Sequence, residues 1–365
     1  MIRRCDLVPQ YLAYKDEIDH AIRGVLNSGR YILAENVAAF EKEFANYIGT
    51  NHGIGVNSGT DALMMALWMC NLKAGDEVVT TPFTAIPTYS AIRHVGAKPV
   101  FVDVEPDTFL MDLKKVKTVL SGRTKVIVAV HLFGNAINIE ELRESVGSKT
   151  YIIEDCAQAH GATINGKKAG SFGDFGAFSF YPTKNLGGYG DGGMITTNRE
   201  DAAETIKKRR MYGMTSKDEF DIDGVNTRLD EIQAAILRVK LKYLDVMNKR
   251  RMELASLYRT MLPAEYIKPQ KVRNNIQSVY HVYCSLCKSH RDDLISFLMK
   301  KNIQTNVYYT IPLSRQKGYI NIYGEGQKMV VSEEVSRQII ALPFYPEMGE
   351  ETIEKVSKAI SEYYN

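Results

Sequence analysis

The chain carries almost no excess charge of one sign. Its 46 lysines and arginines stand against 43 aspartates and glutamates, a net of +3 over 365 residues. That balance argues against a dedicated nucleic-acid binder, whose basic face would tilt the count. No apolar run reaches the ~20 residues of a membrane-spanning helix. The first residues, MIRRCDLVPQYLAYKDEID, turn polar at once instead of passing into an apolar targeting segment. Cysteines are few: five, an odd number and scattered, which is no disulfide framework. Cys284 and Cys287 form one CxxC, but it lies in the apolar run Val282–Cys287. No second CxxC and no histidine pair at zinc spacing accompanies it, so both read as core thiols and no metal is expected. Internal repeats and low-complexity tracts are missing as well. Together these absences make the cytoplasm the expected compartment, without membrane or nucleic-acid partners.

What is present is an ordinary globular composition, 45% hydrophobic and 24% charged, with material for a sizeable core. The length suits two domains, or one large domain with an appendage. Ile18, Ile22, Val25 and Leu26 on one face, with Gly29 as the stop, predict a helix over residues 15–27; a second follows over 35–47. From residue 53 the pattern alternates. Short apolar strands are expected at 53–56, 77–81, 99–103, 125–131, 151–154, 177–181 and 194–197, most of them separated by helices. Near-continuous apolar strands of this kind predict an α/β fold with a mostly parallel central sheet covered by helices on both faces. A long helical stretch over 230–261 is expected to lead out of this unit, and Pro263 and Pro269 mark a linker. Beyond it, strands at 280–287 and 303–309 with helices at 291–301 and 350–363 predict a small α+β domain. The expected division is a large domain over 1–262 and a small one over 263–365, with residues 1–30 able to pack on the small one.

The stretch organising the rest is GSFGDFGAFSFYPTKNLGGYGDGG, Gly170 to Gly193. Lys184 follows a short aromatic strand and sits on a turn between glycine clusters. Burial there would favour the neutral amine, a nucleophile toward carbonyls; a solvated loop lysine is the plainer alternative. Asp155 ends a strand, where open parallel sheets bind ligands. It is placed to meet a cationic ring nitrogen, or simply to cap a helix. Ala157, Gln158 and His160 follow in the same loop. Asn57-Ser58-Gly59-Thr60-Asp61 is a strand-to-helix turn whose free amides suit an anion such as a phosphate, or a plain helix cap. Three features read as bystanders. Gly188–Gly193 matches G-x-G-x-x-G but has no helix directly after it. His131 lacks a metal-spaced partner and reads as a satisfied core histidine. The basic run Lys207–Arg210 reads as a solvated helix face.

In order along the chain, SGTDAL, EDCAQAHGA, GSFGDFGAFSFYPTKNLGGYGDGG and NTRLDEIQAAIL resemble the DegT/DnrJ/EryC1/StrS family. The resemblance runs from about residue 5 to the end. It implies the fold-type-I, aspartate aminotransferase-like architecture and a pyridoxal 5'-phosphate-dependent sugar aminotransferase. Lys184 would carry the cofactor covalently, and Asp155 would face its ring nitrogen. Gln158 would bond the ring hydroxyl, and Ala157 would cover one ring face. Gly59, Thr60 and Ser179 would hold the phosphate. Asn226 would reach the phosphate of a second subunit, making the active unit a homodimer with shared sites. Phe83 is the expected stacking residue on the other ring face, although relatives often carry the aromatic two residues later, where this chain has Ala85. His160, Tyr181, Arg228, Tyr308 and Tyr309 are expected near substrate. Relatives often show His-Tyr-Pro…His where this chain reads Tyr308-Tyr309-Thr310…Ser314. The implied partners are L-glutamate and a nucleotide-linked keto-sugar, aminated at C-3 in preference to C-4. A sugar dehydratase on this fold would replace the lysine by histidine, and a non-catalytic regulator would need a basic DNA-binding element.

Overall fold

The computed structural model describes residues 1–365. Seven strands form the central sheet: β1 (His52–Val56), β2 (Glu77–Thr80), β3 (Lys98–Phe101), β4 (Thr124–Val130), β5 (Tyr151–Asp155), β6 (Phe175–Ser179) and β7 (Gly193–Thr197). Their order is β1-β7-β6-β5-β4-β2-β3. Pairings among β2 to β6 are parallel. Only β7 runs against both its neighbours. The parallel strands are buried almost throughout, which is why they read as unbroken apolar runs. Helix Gly59–Trp68 covers one face with Ala62, Leu63, Met65, Ala66 and Leu67 buried. On the other side Phe40 and Phe44 meet Phe178 and Phe180 edge to face.

The C-terminal part adds a three-stranded antiparallel sheet, Ile267–Pro269, Tyr283–Cys287 and Ile339–Leu342. A separate apolar cluster lies against it, with Tyr258, Leu294, Leu298, Ile353 and Ile360. Cys284 and Cys287 are buried free thiols in its central strand. The start of the chain divides between the two layers. Ile2 bridges to Ile303, and the Arg4 carbonyl accepts from the Phe344 amide at 3.0 Å. Helix Lys15–Ser28 instead seats Ile18 on Ile236 and Val239, and ends on Gly29 at φ +65°. No helix is long and apolar enough to cross a membrane.

Two expectations are corrected, and one element is added. The helical stretch 230–261 is two helices, Glu231–Leu241 and Leu244–Met261. The buried stripe of Lys240, Leu244, Met247 and Arg251 continues in phase across the break, so periodicity alone could not show it. Residues 303–309 form no strand: Ile303 and Asn306 make isolated bridges, and Tyr308 and Tyr309 turn into a cavity wall. A small ribbon, Thr163–Ile164 with Lys167–Lys168 and Ile276–Gln277, went unpredicted because two-residue strands carry no periodicity.

Candidate active site

The parallel strands bring their carboxyl ends to one edge of the sheet. Val130, Asp155 and Ala177 stand in register there on β4, β5 and β6. The glycine-rich stretch from β6 to β7 carries Lys184 across this edge. Two cavities meet at it. The first, about 260 Å³, is walled by Gly59, Thr60, Thr88, Asp155, Ala157, Gln158, Ser179 and Lys184, among others. The second, about 360 Å³, reaches toward the C-terminal layer past Tyr308, Tyr309, His281 and Arg251. Ala85, Gln158, Tyr181 and Lys184 wall both, so Lys184 stands between them.

One end of the first cavity is the turn after β1. Ser58 caps helix Gly59–Trp68, accepting from the Asp61 amide at 3.1 Å. The Gly59 and Thr60 amides sit in the first turn, where a helix leaves its N–H groups without partners. A Cβ built on Gly59 would lie 2.6 Å from Ser179 Cβ, so only glycine lets this turn approach β6. Asp155 walls the same cavity. Its carboxylate accepts from Thr88 Oγ1 at 2.8 Å and from the Ala157 amide at 3.2 Å. Burial pushes its carboxyl above the ordinary value, while Thr88, Ala157 and Lys184 hold the charged form. Burial lowers the Lys184 ammonium from 10.5 to about 8, with Asp155 acting the other way.

The wall is braced from below. Ile137 donates its amide to His131 Nδ1 at 3.0 Å, so the ring proton lies on Nε2, which faces Glu154 at 2.9 Å. Glu154, fully buried, also accepts from the amides of Gly170, Phe172 and Gly173 at 2.7–2.8 Å. Both nitrogens of His131 are satisfied, as a core histidine requires. Gln158 accepts from the Phe133 amide at 2.8 Å and donates to the Tyr309 hydroxyl at 3.1 Å. The glycines of the G-x-G-x-x-G match serve packing: a Cβ on Gly193 would meet the Ser58 carbonyl at 2.2 Å, and β7 follows, not a helix.

Of the predicted residues, the structure gathers Gly59, Thr60, Asp155, Ala157, Gln158, Ser179, Tyr181 and Lys184 around the first cavity, and Tyr308 and Tyr309 around the second. Four it does not bring there. Phe83 is fully buried against Phe109, Phe133 and Tyr309 and walls neither cavity; Ala85, two residues on, walls both. His160 is fully buried between Phe178 and Phe180, at 5.5 and 5.8 Å, with neither ring nitrogen bonded. Burial lowers it to about 3, so it is a neutral core side chain and not a substrate contact. Asn226 is exposed and walls neither cavity of its own chain. Its neighbour Thr227 ties that loop to the turn after β1, accepting from the Asn57 amide at 3.0 Å and donating to Asp61 at 2.9 Å. Arg228 has no acidic partner and reaches only Met211 Sδ at 3.5 Å. Sequence reasoning missed Thr88 and Arg251. Arg251 did leave a signal, a charge on the apolar stripe Met247, Leu254, Ala255, Tyr258.

The profile of the DegT/DnrJ/EryC1/StrS aminotransferase family matches residues 13–361. The chain belongs to this family. Among curated relatives, a dTDP-3-amino-3,6-dideoxy-alpha-D-galactopyranose transaminase of Aneurinibacillus thermoaerophilus is 40% identical, covering 100% of this chain and 99% of its own. A protein of Geobacillus stearothermophilus named pleiotropic regulatory protein is 39% identical over 98% and 97%. Among solved structures, S. venezuelae DesV superposes at a TM-score of 0.96 with 36% identity, covering 99% and 98%. NtdA of Bacillus subtilis, solved with bound PMP, gives 0.88 and 30% over 96% and 82%. Fold and chemistry class follow: this is a fold-type-I aminotransferase dependent on pyridoxal phosphate. The first cavity fits that cofactor on its own evidence. It has a glycine-only approach beside free helix amides for a phosphate, a buried carboxylate for a cationic ring nitrogen, and an amine shifted toward its neutral form on the same wall.

Proposed function

We propose that this family member moves the amino group of L-glutamate onto the C-3 keto group of a nucleotide-linked deoxy-sugar such as a dTDP-3-keto-6-deoxyhexose. The observation that carries the reading is Lys184 at the meeting of the two cavities, with Asp155 and the phosphate turn behind it and open space in front. The amine donation at C-3 named for the Aneurinibacillus thermoaerophilus transaminase supports the position. Bound pyridoxal phosphate supplies an electron sink for the carbon that loses or gains its proton. Gly59, Thr60 and Ser179 would hold its phosphate. Asp155 would keep the ring nitrogen protonated, and Ala157 and Gln158 would fix the ring plane. Lys184, near neutrality at about 8, can both take and return a proton at its Nζ, as a general base and acid must. The second cavity then receives donor and sugar in turn, against Tyr308 and Tyr309.

Two further parts belong to this reading. The active unit is a homodimer in which Asn226 of one chain completes the phosphate site of the other, and the protein works in the cytoplasm, where its five free thiols stay reduced. The regulator reading draws on the name of the Geobacillus stearothermophilus relative, but the basic run that would serve it is engaged within the chain. Lys207 pairs with Glu204 at 2.7 Å, Lys208 with Asp221 at 3.0 Å, and Arg210 is buried against Glu41. The test is to incubate the purified protein with glutamate and either 3-keto or 4-keto nucleotide sugars, and to identify the amino sugar by NMR. Product at C-3 is the expected result. Product only at C-4, or none with glutamate consumed by no keto-sugar, would overturn the assignment.

A further inference from the structure

The second cavity has an unusual charge pattern. Its wall contains three cationic side chains, Lys184, Arg4 and Arg251, and no aspartate or glutamate. Arg251 is only 4% exposed. It sits on helix Leu244–Met261, on the same stripe as Leu254, Ala255 and Tyr258, and lies over the Phe344 ring at 5.7 Å. Its Nη1 donates to the carbonyls of Tyr280 and His281 at 3.3 and 3.2 Å. Nε and Nη2 have no hydrogen-bond partner in the chain and are not sealed from solvent, and Arg251 lines the cavity. A buried guanidinium without a carboxylate is costly to hold, and burial lowers Arg251 to about 10. Glu347, the carboxylate whose charge is felt at Arg251, makes no ion pair with it, and burial raises Glu347 toward its neutral form. The neighbouring His281 is pushed well below its ordinary value by burial and by Lys184, so it adds no charge. The cavity is therefore built to receive an anion that brings the missing carboxylate.

We infer that Arg251 binds a carboxylate of the amino donor, using the two guanidinium nitrogens left free by the protein. The planar fork suits a carboxylate held by two parallel bonds. Lys184 borders the same cavity, so an amino acid anchored at Arg251 lies on the side from which the reacting amine must approach. Arg4, more exposed and bonded only weakly to the Tyr308 hydroxyl at 3.5 Å, can strengthen the attraction from the cavity mouth. The inference rests on the aminotransferase reading given above, and its failure can be told apart from the failure of that reading.

The experiment follows the first half-reaction in the cofactor-loaded protein, as the loss of visible absorbance on titration with L-glutamate, L-glutamine and L-alanine. The half-saturating L-glutamate concentration should rise about 30- to 100-fold in Arg251→Gln, as expected for losing one member of a buried charged pair. The rate at saturation and the half-saturation for the sugar in the reverse half-reaction should stay within a few-fold. If glutamine and alanine weaken as much as glutamate, Arg251 holds the α-carboxylate; if they are spared, it holds the distal one. Arg251→Lys keeps the charge and decides the matter if the glutamine variant fails to fold: it should raise the half-saturation less, with the same ranking of donors. Unchanged glutamate half-saturation in either soluble variant would overturn the inference, as would a loss confined to the sugar. No reaction of the unsubstituted protein with any of the three amino acids would strike the donor assignment itself.

Discussion

Asp155→Asn nearly preserves the side chain's volume and removes its charge, and the two consequences run in opposite directions. Burial takes Lys184 from 10.5 to about 8. At pH 7 that shift leaves roughly a tenth of the amines neutral, where an ordinary lysine leaves fewer than about one in a thousand. The difference is roughly 300-fold in reactive amine, or roughly 3 kcal/mol. The Asp155 carboxylate opposes the shift by favouring the ammonium, so removing it must move the midpoint below about 8. The assay is capture of pyridoxal phosphate by apo-protein, read as the appearance of visible absorbance across neutral and alkaline pH. Capture by the unsubstituted protein should rise with pH and level off above about 8, because the neutral amine is the form present above the pKa. The variant should level off earlier. Turnover should fall, because no carboxylate then keeps the ring nitrogen protonated. A loss of more than ~10-fold, or ~1.4 kcal/mol, in the single-turnover reaction with glutamate is the minimum expected. A midpoint that stays or rises would refute the electrostatic account of Lys184. A smaller loss of turnover would leave Asp155 as no more than a binder of Thr88 and the Ala157 amide.

Lys184→Ala should abolish turnover while the protein still binds the cofactor without a covalent bond, seen as absorbance that dialysis removes; near-normal turnover would end the case for Lys184. Gly59→Ala should weaken cofactor affinity at least ~10-fold with little loss of fold, because the added methyl displaces Ser179 from the phosphate turn; equilibrium titration reads it, and an unchanged affinity would show that the phosphate lies elsewhere. Glu154→Gln puts an amide where three backbone N–H groups and His131 donate, and should cost about 2–3 kcal/mol in urea unfolding; a neutral result would mean the loop at Gly170–Gly173 relaxes freely. Mixing Asn226→Asp with Lys184→Ala tests shared sites: half the randomly exchanged dimers are mixed and each has one intact site, so activity should return to roughly a quarter. No recovery, with exchange shown separately, would place Asn226 in its own chain's site.

The sheet was legible because each parallel strand is buried on both faces, and burial writes itself as an apolar run. Lys184 and Asp155 were legible as candidates for a related reason: each is a charge set beside such a run, Asp155 at the end of β5 and Lys184 on the stretch after β6. Distance along the chain misled where side-chain direction decides. His160 is five residues past Asp155 but turns under the sheet edge between Phe178 and Phe180. Phe83 is two residues from Ala85, yet only Ala85 faces the cavities. Asn226 is exposed and walls neither cavity of its own chain, and no periodicity within one chain encodes what it would meet. Arg251 shows a different gap. It stands among Met247, Leu254, Ala255 and Tyr258, and a charge there signals nothing until the structure shows that it forms no ion pair with an acid. The residues hardest to read were thus those whose contacts within the chain leave donors unused or a side chain exposed, as at Arg251 and Asn226.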